Sequence, residues 1–344
     1  MKYKLKWLGG WSLLLLGLLV AVGHPAQAAS VAQNADFSIQ PVFDQNQTNR
    51  NLNYFNLRFK PGTTHEITLQ VQNYTERTIT IHSQFRNAIT GFGGADAFTA
   101  SDNHLDPSLK IPLTKLVQLQ GSATIKLKPE ETRFVRATVK MPANQYRGMI
   151  YGDWYFIENM KGNKNDRSSV ASNYAYSMGL ILQGSPYHVY PEIKYAKTEP
   201  ILYHSHPALG VKLRNTQPMV LNNVSINASV EKKGLFASKY TYQAANRVIN
   251  PNSSVTLPVS WAYDQLKPGT YTVHAKIIGQ NYWNHLPMTW TINQKFTVKA
   301  GQANAINQKA LKKPVNQWIW IASATGVLWL LSLVAWLRLL RLKG

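Results

Sequence analysis

The chain has 344 residues, 37 Lys and Arg against 16 Asp and Glu, a formal net charge of +21 and no cysteine. The absence of cysteine excludes disulfide scaffolds, thiolate metal centres and cysteine nucleophiles, so stability must come from ordinary hydrophobic cores. The positive excess favours polyanions or an anionic membrane surface as neighbours.

Residues 1–28 carry Lys2, Lys4 and Lys6, continue as an apolar run over 8–22, and end in Ala26-Gln27-Ala28. This is the three-part plan of a secretory signal peptide, with Ala26 and Ala28 forming the cleavage site and Ala29 starting the mature chain. The apolar run holds only about 15 residues, fewer than the roughly 20 needed to span a bilayer.

From residue 30 onward, period-2 alternation recurs and helical periodicity is hard to find. Residues 66–72 place Ile67, Leu69 and Val71 on one face, and residues 78–82 repeat the pattern with Ile79 and Ile81. Ile125 and Leu127 precede the turn Pro129-Glu130-Glu131, which leads into a strand over 132–141; another strand-like run covers 174–183. Later, Val224, Ile226, Ala228 and Val230 share a face, as do Val255, Leu257, Val259 and Trp261, and then Tyr271, Val273, Ala275 and Ile277. Strands rich in β-branched and aromatic residues, separated by Lys60-Pro61-Gly62, Asn250-Pro251-Asn252 and Lys267-Pro268-Gly269, read as antiparallel sandwiches. Two loops break the rhythm, 87–112 and 161–173, and loops of that length are functional or mobile.

The expected fold class is all-β: two tandem immunoglobulin-like β-sandwich domains, over 30–186 and 187–300, plus one C-terminal transmembrane helix. The boundary falls at Gly184-Ser185-Pro186. The second region is the more basic: 12 bases against 4 acids, compared with 16 against 12 in the first. A polar linker over 301–317 leads to an uncharged apolar span over 318–337 and a cytoplasmic tail over 338–344. Trp318 and Trp320 at one end of the span and Trp336 at the other suit the headgroup region, and Arg338, Arg341 and Lys343 put the tail inside by the positive-inside rule. The expected location is therefore a single-pass cell membrane protein with its exported region on the cell-wall side. Nucleic acid is not an expected partner there, and anionic wall polymers are.

The order of several fragments resembles the WxL-interacting protein family of Gram-positive bacteria. The first region is similar to its peptidoglycan-binding domain through Phe37-Ser38-Ile39-Gln40-Pro41, Tyr54-Phe55-Asn56-Leu57, Val71-Gln72-Asn73, Asp106-Pro107-Ser108-Leu109, Leu127-Lys128-Pro129 and Gly148-Met149-Ile150-Tyr151-Gly152. The second is similar to its partner- or host-binding domain through Leu213-Arg214-Asn215, Asn250-Pro251-Asn252-Ser253 and Leu266-Lys267-Pro268-Gly269-Thr270-Tyr271. Tyr151-Gly152-Asp153 departs from the family, which tends to have a small-residue run with two glycines there. The resemblance implies a non-enzymatic, membrane-tethered surface adaptor that holds WxL-domain surface proteins and contacts peptidoglycan. The rival readings are an extracytoplasmic chaperone or assembly factor, and a glycan-binding adhesin.

No constellation argues for catalysis, because G-x-S-x-G is absent and the carboxylates are unpaired in sequence. No cofactor is implied. His204 and His206 would share a strand face at i, i+2 but lack a third ligand, and Asp96, Asp102, Asn103 and Asp106 lack the fixed spacing of a calcium loop, so no metal site is expected. Tyr151, Trp154, Tyr155 and Phe156 form a dense aromatic segment. Period 2 assigns Tyr151 and Tyr155 to one face and Trp154 and Phe156 to the other, one set for the core and one as a candidate glycan platform.

Overall fold

The computed structural model describes residues 35–144, 146–158, 174–184, 189–232, 237–313 and 318–342. Among them the architecture is all-β and sandwich-like, with two helices at the C-terminal end. Ala26, Ala28, Lys343 and the loop 161–173 lie outside the described residues.

Two sheets form the first half. One runs β1 (Phe37–Val42), β3 (Thr64–Asn73), β8 (Thr132–Lys140), β6 (Val117–Gln120). The other runs β2 (Phe55–Arg58), β10 (Ala175–Gln183), β9 (Met149–Glu158), β4 (Ile79–Thr90), β5 (Asp96–Thr99), with β7 (Thr124–Leu127) also on β4. Alternation explains the layers: Ile67, Leu69 and Val71 of β3 and Val135, Ala137 and Val139 of β8 point inward, against Ile79 and Ile81 of β4 and Trp154 and Phe156 of β9. Burying each large apolar side chain contributes about 1.5 to 3 kcal/mol. The expectation of purely antiparallel sheets is corrected at one pair, since β2 runs parallel to β10. Some 120 residues separate them, ample for the crossover that parallel pairing requires.

The second half repeats the plan. Its sheets are β11 (Ile193–Tyr203), β12 (His206–Asn215), β15 (Ser253–Ser260), and β14 (Ser238–Ile249), β13 (Leu221–Lys232), β16 (Gly269–Asn281), β17 (Pro287–Val298). Leu213, Val230, Leu257, Trp261 and Val273 meet in their own core.

A matching turn device closes both halves. Asn73, at the end of β3, is fully buried and donates from Nδ2 to Arg77 O (2.9 Å) and Lys128 O (2.7 Å). Asn215, at the end of β12, donates likewise to Met219 O (2.7 Å) and Asn250 O (3.1 Å). Lys128 and Asn250 each precede a proline, and the residue after it, Glu130 or Asn252, has φ of 55° or 46°. Each amide thus pins a proline turn, with a left-handed third residue, to the end of a distant strand.

The C-terminal segment differs from expectation. Within the predicted linker, Ala300–Lys309 forms helix α1, which buries Ala303 in the second core. Asn307, one turn later, accepts from Leu266 N and donates to Leu266 O, both at 2.9 Å. A polar Ala-, Asn- and Gln-rich sequence shows no apolar stripe, so only these two contacts betray the helix. Helix α2 spans Trp318–Leu342. Among the described residues, no helix is long and apolar enough to cross a membrane. Arg338 is exposed; the side chains of Trp318, Trp320, Trp336 and Arg341 lie outside the described ones.

Candidate functional site

The aromatic segment of β9 is mainly structural. Trp154 and Phe156 are fully buried, with ring centroids 5.3 Å apart, and Trp154 Nε1 donates to Ser83 Oγ at 2.7 Å. Neither can meet a glycan, which corrects their candidacy. On the opposite face Arg86 forks onto the buried Asp153 carboxylate, through Nε at 3.0 Å and through Nη2, and lies 3.7 Å from the Tyr155 ring centroid. Tyr155 is therefore already stacked on a cation within the protein. Tyr151 packs beside Met149, Ile181, Met219 and Val220, where the two halves of the chain meet, and burial pushes its phenol well above the usual range. The Tyr-Gly-Asp departure has a local reason. A Cβ at Gly152 would stand 2.2 Å from Arg86 O and 2.3 Å from Leu113 Cδ2, and Asp153 supplies the partner for Arg86.

The long loop 87–112 contains the hairpin strand β5 and a short 3-10 turn, and it is a clasp onto the second half. Arg214 grips Asp106 through two hydrogen bonds, Nε to Oδ2 at 2.7 Å and Nη2 to Oδ1 at 2.6 Å. Ser254 Oγ adds a third at 3.2 Å. Burial raises the Asp106 pKa, but hydrogen bonds from Arg214 and Ser108 outweigh it, and the carboxyl falls to about 2. Gly94 O accepts from Val248 N at 3.0 Å, Gly93 N donates to Thr256 O at 2.9 Å, and a Cβ at Gly93 would collide with the Tyr242 hydroxyl. Asp106 is thus spent on an ion pair, and no cluster of three metal-ligating side chains exists among the described residues. The shared strand face expected of His204 and His206 is also absent. His204 and Ser205, with φ of 48° and 61°, form the tight turn between β11 and β12, and His206 pairs with Tyr203.

A surface the sequence reading missed is the outward face of β1–β3–β8–β6. Phe134 of β8 stands there 52% exposed. It lies opposite Gln70 of β3, which lies opposite Gln40 of β1. On its other side β6 ends at Gln120, which pairs with Arg136, so Phe134 borders a cleft of about 240 Å³ lined also by Ser122, Thr124 and Arg133. Gln120 Nε2 donates to Glu66 Oε2 and Thr138 Oγ1, both at 3.0 Å, and Arg136 Nε stands 3.3 Å from Glu66 Oε1. An open aromatic ring among amides, hydroxyls and guanidinium groups can stack on a sugar, bond its N-acetyl groups and meet its carboxylates. The available signal was parity: Phe134 falls on the polar face of a strand whose apolar face is Val135, Ala137 and Val139.

Two family models match the chain in succession, and the second begins before β10, earlier than the boundary expected at 184–186. Residues 37–158 match the model of the WxL Interacting Protein peptidoglycan binding domain, and residues 165–308 match that of the WxL Interacting Protein host binding domain. Both are binding domains. No curated protein matches the chain. Similar solved structures include a chain of the CsuC–CsuE chaperone–tip adhesion subunit complex of Acinetobacter baumannii, at 13% identity and TM-score 0.34, covering 75% of this chain and 98% of that one. The Salmonella enterica SafA pilin–SafB chaperone complex gives 13%, 0.32, 75% and 98%, and the Pseudomonas aeruginosa CupB2 chaperone 10%, 0.29, 67% and 94%. Likeness at this level carries no argument about role.

Proposed function

This chain belongs to the WxL-interacting protein family, and from that premise we propose that it is a non-enzymatic adaptor of the bacterial surface, built on two immunoglobulin-like sandwiches. The first sandwich contacts wall peptidoglycan through the sheet face around Phe134, and the second holds a WxL-domain surface protein. The outer edge of β17 suits that second role: among the described residues it is the twelve-residue outermost strand of its sheet, and backbone pairing by strand addition needs little side-chain chemistry. A signal peptide ending at Ala28 exports the chain. The uncharged apolar sequence 318–337 supports a membrane tether, with Trp318, Trp320 and Trp336 suited to the headgroup region and Arg338, Arg341 and Lys343 to the cytoplasmic side.

The observation that carries the wall contact is the half-exposed Phe134 ring, standing among Gln40, Gln70, Gln120 and Arg136. Co-sedimentation of the full chain with purified peptidoglycan tests it. Losing about 1 kcal/mol of stacking, Phe134→Ala should weaken retention about fivefold, with an unchanged circular dichroism spectrum because the ring is not core. Retention equal to the parent protein would remove this face from the proposal.

A further inference from the structure

The sheet β14–β13–β16–β17 turns a second polar face outward, and its composition follows from register. Asn227 of β13 lies opposite Gln243 of β14 and Lys276 of β16, and Lys276 lies opposite Thr291 of β17. All four are exposed. Two rows further along, Glu231 lies opposite Lys239 and Thr272, and Thr272 opposite Lys295. The rows from Glu231 to Ser225 on β13 cover about 20 Å at 3.3 Å per residue, room for several sugar units.

This face is not flat. The β13 register slips against β14 on both sides of Val224, and against β16 between Asn222 and Ser225. Asn223 and Asn246 take φ of 47° and 55°, a conformation asparagine tolerates better than other side-chain-bearing residues. Bulges of this kind re-aim side chains and are frequent beside functional sites. Here they accompany a shallow depression of about 500 Å³ lined by Ser225, Asn227, Gln243 and Lys276, with Ala245 and Ile278. Among the described residues, the side chains of the first four make no hydrogen bond or ion pair, so their donors and acceptors are open to a ligand.

We propose that this face binds an acidic polysaccharide, the depression seating a sugar unit and Lys276 meeting its carboxylate, sulfate or phosphate. Charge selects the class: Lys276 and Lys295 stand on the face, and its acid, Glu231, is offset by Lys239 at 2.9 Å. The hydroxyls and amides match a polyol. The aromatic and Arg anchors that dominate protein interfaces are missing from the depression's lining. The site is separate from the wall contact of the first sandwich and does not depend on it.

The test is binding of the full chain in detergent micelles to immobilised heparin, polygalacturonate, phosphomannan and neutral dextran. At least one acidic polymer should bind while dextran does not, and the strongest arm tells a sulfated, a carboxylated or a phosphate-bearing source apart. Lys276→Gln should weaken that binding about two- to fivefold, as expected for a lost solvent-exposed ion pair, and Ser225→Trp, which fills the depression, should weaken it as well. Lys126→Gln in the first sandwich should change nothing. Equal binding of dextran, no binding of any acidic polymer, or an affinity indifferent to both Lys276→Gln and Ser225→Trp would overturn the proposal. Phe134→Ala should leave this binding intact while reducing peptidoglycan retention, which keeps the two sites distinguishable.

Discussion

Asn215 spans two carbonyls, Met219 O and Asn250 O, from a position with no solvent access, and Asn73 does the same for Arg77 O and Lys128 O. Removing either amide leaves buried carbonyls without donors, so Asn73→Ala or Asn215→Ala should cost about 2 to 3 kcal/mol in urea denaturation. Asp106 is the second residue on which much depends. Its carboxyl falls to about 2, below the roughly 3.9 of an unfolded aspartate. A depressed carboxylate contributes stability that is present above the unfolded pKa and lost as pH falls through the folded one. The contribution should therefore fade between about pH 4 and pH 2, and be intact at neutrality. In an Asp106→Asn variant, measured over the same window, the part of the acid-induced loss owed to this residue should be missing. Loss of stability centred above pH 5 in the parent and absent from that variant would contradict the assignment.

At the scale of elements, the strands with clean alternation were legible. Those over 132–141, 224–230 and 271–277 coincide with β8, β13 and β16, because one face of each is pure core. Edge strand β14 was not legible, because Tyr240, Tyr242 and Ala244 only partly bury and the Asn246 bulge breaks the period. Helix α1 escaped for a related reason, having a single buried side chain, Ala303. Within β9 the parity was read correctly, but parity alone does not say which face is solvent. Arg86, distant in sequence, covers Asp153 and Tyr155, whereas Phe134, on another strand, stands exposed on an outward sheet face. The contrast is measurable: Trp154→Ala should destabilise by about 3 to 5 kcal/mol as a core truncation, while Phe134→Ala leaves the thermal midpoint essentially unchanged. Asn307→Ala, which unpins α1 from Leu266, should lower stability by about 1 to 2 kcal/mol.

In the whole molecule, the clasp of Asp106 on Arg214, the Gly93–Gly94 contact and the packing of Tyr151 join the two sandwiches into one compact unit over 37–344. Arg214→Ala, which strands the buried Asp106 carboxylate, should cost about 3 to 5 kcal/mol and separate one calorimetric transition into two. Since α1 is docked on the second core and Leu311 N donates to Ser205 O at 2.9 Å, a tether to the proposed membrane span would have residues 312–317, at most about 20 Å when fully extended. An anchored molecule is then held close to the membrane, where it joins wall and partner instead of reaching outward. The most direct test reconstitutes the full chain in liposomes and floats them with labelled soluble peptidoglycan fragments and a WxL-domain protein. Both should float with the liposomes, and saturating either should leave the other bound. Competition between them, or failure of either to float, would contradict an adaptor that carries both at once.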